Sequence, residues 1–231
     1  MKMKAPGTSQ FLLKLFLLLI LTPNLVTSAD KNLLPNEKAE IVSSSNIGQL
    51  QDTNIPPLID FTVCLDLHCT HKAPWTVFSY CVEDGERPAE LGLGFLGQDT
   101  FQIFHLGIHY EFKLDLELET WYTICLTRKS ITGKLEVYVN GIHFLYTLSS
   151  NDPLKGGGSL VLGCNHFREA GKISLKTSTN FAGELYNFQM WNYSRSLNEL
   201  YDCSEGNLLS WTKELWKFNR PKIDEKLRCG K

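Results

Sequence analysis

Short apolar runs separated by turn residues recur from Ile59 to Trp191, at spacings that suit strands and not helices. They cover 59–67, 75–82, 90–96, 101–106, 109–114, 121–126, 134–139, 142–148, 160–162 and 182–191, with an early edge strand near 47–50. Ala73-Pro74, Glu83-Asp84-Gly85, Thr132-Gly133, Asn140-Gly141 and Gly156-Gly157-Gly158 punctuate the runs. Asn140-Gly141 lies between two apolar runs and predicts a tight hairpin, because both residues tolerate positive φ. Ser194 followed by Leu197 and Leu200 predicts one short helix near 195–201. Many short strands with a single helix predict an all-β fold, a two-sheet antiparallel jelly-roll sandwich.

The N-terminus reads differently. Lys2 and Lys4 precede an apolar stretch from Phe11 to Leu21, and the small residues Thr27, Ser28 and Ala29 follow. This is the order of a secretory signal peptide over 1–28. Lys14 leaves only Leu15–Leu21 uninterrupted, well short of the roughly 20 apolar residues that span a bilayer. The mature chain is therefore expected outside the cell with no transmembrane segment. A polar stretch over 29–46 reads as a flexible lead-in, and 47–231 as one folded domain. Removing the leader's lysines, with no acid among them, moves the formal charge from −2 to −5. A mildly acidic domain argues against nucleic acid or an anionic membrane as the main partner.

Seven cysteines in a secreted chain imply disulfides and an odd thiol. Cys64 and Cys125 each lie within an apolar strand run, where a cysteine faces the core. Two such half-cystines on separate strands suggest a bond tying distant parts of one sheet. Catalytic signals are missing. Gly156-Gly157-Gly158 precedes a strand, not the Lys-Ser/Thr and helix of a phosphate loop, and no Gly-x-Ser-x-Gly occurs. His68, Cys69 and His71 have no second pair in register for zinc. Asn192-Tyr193-Ser194 is the one N-x-S/T sequon, which makes Asn192 the candidate glycosylation site.

Several segments taken together resemble the pentraxin family. They are Phe61-Thr62-Val63-Cys64-Leu65, Phe78-Ser79-Tyr80, Thr123-Ile124-Cys125-Leu126, Leu135 to Gly141, Gly158 to Gly163 and Gly183 to Trp191. The flavour is that of the pentraxin-like extracellular domain of group G adhesion G-protein-coupled receptors, which also carries a terminal stretch like Cys203, Gly206-Asn207, Trp211, Trp216 and Cys229. With Lys231 as its last residue, the chain looks like such a domain standing alone. The resemblance implies a pentraxin/laminin-G-like sandwich, a Cys64–Cys125 disulfide and, as the second pair, Cys203–Cys229. Cys69, Cys81 and Cys164 remain, either as buried thiols or with one linking two chains. A Cys69–Cys81 bond fits poorly beside the Ala73-Pro74 turn.

The family's calcium chemistry needs six to eight oxygen ligands, several of them carboxylates. In the late loop, Gly163 to Lys176, only Asn165 and Glu169 offer side-chain oxygen, while Arg168, Lys172 and Lys176 add positive charge. The second loop keeps Glu83 and Asp84. These four are the weak calcium candidates, and the expectation is no cofactor. The leading reading is a secreted, non-enzymatic recognition module binding an extracellular protein or glycan. The alternatives are a free ectodomain or decoy that modulates adhesion-receptor signalling, and a calcium-dependent pentraxin-type lectin. Ring assembly in the family makes a homo-oligomer a form to test for.

Overall fold

A computed structural model describes residues 37–42, 47–50, 53–83, 85, 88–212, 216, 221–223 and 227–229. The signal-peptide expectation for 1–28 lies outside these residues, as does the side chain of Asp84. The strands are β1 (Glu37–Ile41), β2 (Gly48–Leu50), β3 (Phe61–Cys69), β4 (Trp75–Cys81), β5 (Leu91–Gly97), β6 (Thr100–His105), β7 (Ile108–Lys113) and β8 (Trp121–Lys129). They continue with β9 (Lys134–Val139), β10 (Ile142–Thr147), β11 (Ser159–Leu162), β12 (Asn165–Glu169), β13 (Lys172–Lys176), β14 (Gly183–Trp191) and β15 (Pro221–Ile223). A seven-stranded sheet runs β10-β9-β8-β3-β14-β1-β15 and a six-stranded sheet runs β2-β11-β4-β5-β6-β7, with β12–β13 as a separate hairpin. Neighbours pair antiparallel throughout.

The core lies between the two large sheets. Trp75 stacks on Phe95 at 5.3 Å and meets Phe181 edge-on, while Phe101 stacks on Phe112 at 5.0 Å. Each such ring, fully buried, contributes about 1.5–3 kcal/mol. At the sandwich's side, Phe112 of β7 meets Phe144 of β10 at 4.5 Å and Tyr110 meets Tyr146 at 5.3 Å, so aromatic pairs join the two edge strands. The β9–β10 turn forms at Asn140 and Gly141, with φ of 47° and 87°. Positive φ at both central residues matches the twist of the flanking strands.

Three sequence expectations are corrected. Residues 37–41 fall inside the expected lead-in but form a strand between β14 and β15, with Ala39 and Ile41 fully buried. Five residues with two core positions give too short a pattern to stand out, and the partner strands are far away in sequence. The expected helix near 195–201 is a hydrogen-bonded turn. Leu200 N donates to Ser196 O, and Ser196 is capped by Glu199 at 2.6–2.7 Å, but no helix follows. One capped turn does not recover the cost of helix nucleation. Cys203, at φ 57° and bonded to Cys229, then turns the chain away.

The third correction concerns β3. Val63, Leu65 and Leu67 face the other sheet, so Cys64 and Asp66 lie on the outer face. The strand is nevertheless buried almost throughout, because the chain beyond β14 covers that outer face. Thr62 Oγ1 donates to Tyr193 O and accepts from Arg195 N, while Cys64 and Cys125 pack under Trp191 and Leu200. The two cysteines oppose each other in the β3–β8 register with Cα atoms 4.1 Å apart. Trp211 and Trp216 also pack against the main core; Trp211 Nε1 donates to Glu37 O.

Candidate recognition site

β4 ends in Ser79-Tyr80-Cys81 beside β11, and the β12–β13 hairpin folds over both. The segment 163–176, expected as a loop, holds two strands. It is a hairpin, in which Asn165, Phe167 and Glu169 oppose Lys176, Ser174 and Lys172. Alternation places His166 on the inner side, where it is 1% exposed.

His166 organises this base. Ser79 Oγ lies 2.6 Å from His166 Nδ1 and Ser159 Oγ 2.8 Å from its Nε2, while the same two hydroxyls also donate to Cys164 O and Cys81 O. A neutral imidazole donates through one of its nitrogens and accepts through the other, so it serves both hydroxyls. Burial pulls its pKa down to about 4, aided by Arg168 and opposed by the Ser159 hydrogen bond. The Cys81 thiol donates to His166 O, and burial pushes that thiol up to about 12. No sequence motif announced this triad. The signal was a histidine alternating with Phe167 in what proved to be a strand.

The Gly156–Gly158 turn is used for close approach. A Cβ on Gly158 would lie 2.4 Å from Cys81 O and 2.7 Å from the Tyr80 ring. Tyr80 Oη donates to Lys155 O and accepts from Gly158 N, so the glycine lets the turn seat on the tyrosine.

The two loops that carry the calcium candidates do meet, since Gly85 N donates to Arg168 O at 2.7 Å. Among the described residues, the candidate donors between them are already engaged by groups of this chain. Lys155 Nζ pairs with Glu83 and lies 3.8 Å from Glu90. Asn165 Oδ1 already accepts from His166 N. Glu169 sits at the exposed hairpin end, opposite Lys172 in register. Among the described residues no three His, Cys, Asp or Glu side chains converge as metal ligands. Lys155 thus compensates the charge of the described carboxylates beside this junction.

His68 and Cys69 cannot share zinc, because adjacent strand residues face opposite ways. Cys69 is fully buried in the core, while His68 lies 3.6 Å from Glu119 and 3.8 Å from Glu184 on the other face. Burial raises the Cys69 thiol to about 12 and also raises that of Cys164. Cys203 and Cys229 are bonded, and the preceding Arg228 reaches Asp66 on β3. Asn192 is exposed; its Oδ1 accepts from Asn207 Nδ2 and its backbone N donates to Asn207 Oδ1.

Residues 40–222 match the model of the Pentaxin family. The chain is 30% identical over 219 residues to human adhesion G-protein coupled receptor G4, an alignment covering 91% of this chain and 7% of the receptor. It is 25% identical over 156 residues to mouse mucosal pentraxin, covering 67% and 69% of the two chains. Among solved structures, the heptameric SAP-like pentraxin of Limulus polyphemus superposes with TM-score 0.66 at 18% identity, covering 82% of this chain and 95% of that one. The extracellular region of zebrafish Gpr126/Adgrg6 gives TM-score 0.67 at 23% identity, covering 83% and 27%. At these identities the superpositions speak for the fold alone.

Proposed function

The chain belongs to the Pentaxin family, and from that premise we propose that it is secreted and binds an extracellular protein or glycan without calcium. Families of this kind are binding modules, not enzymes. The observation that carries the reading is the junction of the β4–β5 loop with the β12–β13 hairpin. The loops meet at Gly85 and Arg168, while Lys155 takes the Glu83 carboxylate and lies beside that of Glu90. A surface whose carboxylates are met by the chain's own cations suits recognition by direct contact.

The test is a screen of the secreted chain against extracellular proteins and a glycan array, run in calcium and in EDTA. Capture that survives EDTA is expected. Binding abolished by EDTA, or no binding at all, sinks the reading. Mass determination in solution decides whether the binding form is a homo-oligomer.

The adhesion-receptor match over 91% of the chain favours a second reading, in which the protein modulates receptor signalling as a free ectodomain or decoy. Co-expression with such a receptor should then change its signalling, and an unchanged response rejects this reading.

A further inference from the structure

One face of the β12–β13 hairpin combines an aromatic ring with cations and hydrogen-bond donors. Asn165, Phe167, Glu169, Lys172, Ser174 and Lys176 share it, since directly opposed residues of an antiparallel pair point the same way. The Phe167 ring is half-buried, and Lys176 Nζ stands 5.6 Å from its centroid. Asn165 uses its oxygen on His166 N, which turns its NH2 group into the donor left for a ligand. In a chain of net charge −2, this hairpin carries Arg168, Lys172 and Lys176 against the single carboxylate of Glu169. Its other side is clamped by His166 to Ser79 and Ser159, so the face is held in place before any ligand arrives.

Resting on the recognition reading above, we infer that this hairpin face takes an acidic saccharide directly, with no metal between them. A sugar ring presents an apolar C–H face that packs on an aromatic ring, and its hydroxyls suit amide and hydroxyl partners. Its carboxylate or sulfate meets Lys172 and Lys176, whose compact ammonium groups act as point charges. Neither an aromatic ring alone nor a cation pair alone selects this class.

The experiment is calorimetric titration of the intact secreted chain in EDTA, at low and high salt. The probes are a heparin-derived hexasaccharide, 3′-sialyllactose, maltohexaose and polyglutamate. Binding to one or both acidic saccharides is expected, weaker at high salt and absent for maltohexaose; sulfate and carboxylate sources are told apart by which of the two binds. The double variant Lys172→Ser/Lys176→Ser should lose about tenfold or more in affinity, as should Phe167→Ser, while Lys113→Ser on β7 leaves it unchanged. The lysine variant stands as a test even if Phe167→Ser fails to fold. The inference is overturned if neither acidic saccharide binds, if the variants bind like the parent, or if polyglutamate binds as well as the saccharides. Should the saccharides fail while the broad screen yields another extracellular ligand, this inference falls alone. An empty screen takes the recognition reading with it.

Discussion

The Arg228 side chain lies 3.5 Å from the Asp66 carboxylate, which is 4% exposed on the outer face of β3. Asp66 Oδ1 also accepts from Thr123 Oγ1 at 2.6 Å. Burial raises the Asp66 pKa, and Arg228 and Thr123 oppose that shift. The residue next to the Cys203–Cys229 bond thus compensates a charge buried on a strand 162 positions earlier.

Arg228→Met should cost about 2–3 kcal/mol, less than a fully enclosed pair because Arg228 is partly exposed. Asp66→Asn in the same background should recover part of that loss. Urea melts of the four members of the cycle measure the coupling, and additive losses would show that the pair does not interact.

Acid should weaken the fold through His105 and His166. Burial holds each near a pKa of about 4 in the folded chain, against about 6.5 when unfolded. Between those values the unfolded chain binds more protons, so stability is whole above about pH 6.5 and falls as pH drops toward 4. The loss should approach about 3 kcal/mol per histidine at the bottom of the window. His105→Phe should flatten the slope in melts at pH 7.5, 6 and 5. An unchanged slope would remove His105 from the account.

Arg128 is fully buried, and none of its three guanidinium nitrogens has a hydrogen-bond partner among the described residues. Burial lowers its pKa, with Asp60, Asp152 and Tyr110 acting against that shift. Desolvation of this charge outweighs the attraction of those carboxylates, so Arg128→Met should stabilise the fold by about 1–4 kcal/mol. A lower melting temperature would mean that the guanidinium has compensation within the native fold.

Cys69, Cys81 and Cys164 are 0%, 4% and 0% exposed, and burial disfavours the thiolate of each. Iodoacetamide should label no cysteine in the native chain at pH 7.5 and three in urea without reductant. Native labelling of any of them, or a disulfide-linked dimer on a non-reducing gel, contradicts this.

We propose that Asn192 carries an N-linked glycan. Its side-chain oxygen is occupied by Asn207 while the residue stays exposed, which leaves the nitrogen to the glycan. Enzymatic deglycosylation of the secreted chain should raise its gel mobility, and Asn192→Gln should abolish that shift. Mobility unaffected by the enzyme disproves the proposal.

Much of the sandwich was legible because alternation and turn chemistry are local. Leu135-Glu136-Val137-Tyr138-Val139 reads as a strand with one wet face, and Asn140-Gly141 as its turn, from the residues alone. The His166 clamp was not legible, because Ser79 and Ser159 reach it only after three strands have packed. Nor was the face on which Cys64 lies. Alternation says that Cys64 and Val63 point opposite ways, but not which of the two faces a later segment will cover.

The sequence by itself determined a disulfide-bearing β-sandwich and left its late segment with Glu169 as its one carboxylate, where calcium requires several. Both are properties of residue type and short spacing. Only the tertiary structure decided that the segment is a hairpin, that Lys155 answers Glu83, and that the C-terminal stretch covers the outer face of β3. Those outcomes depend on contacts between residues tens to more than a hundred positions apart. There, geometry and desolvation select the partner that satisfies each buried polar group.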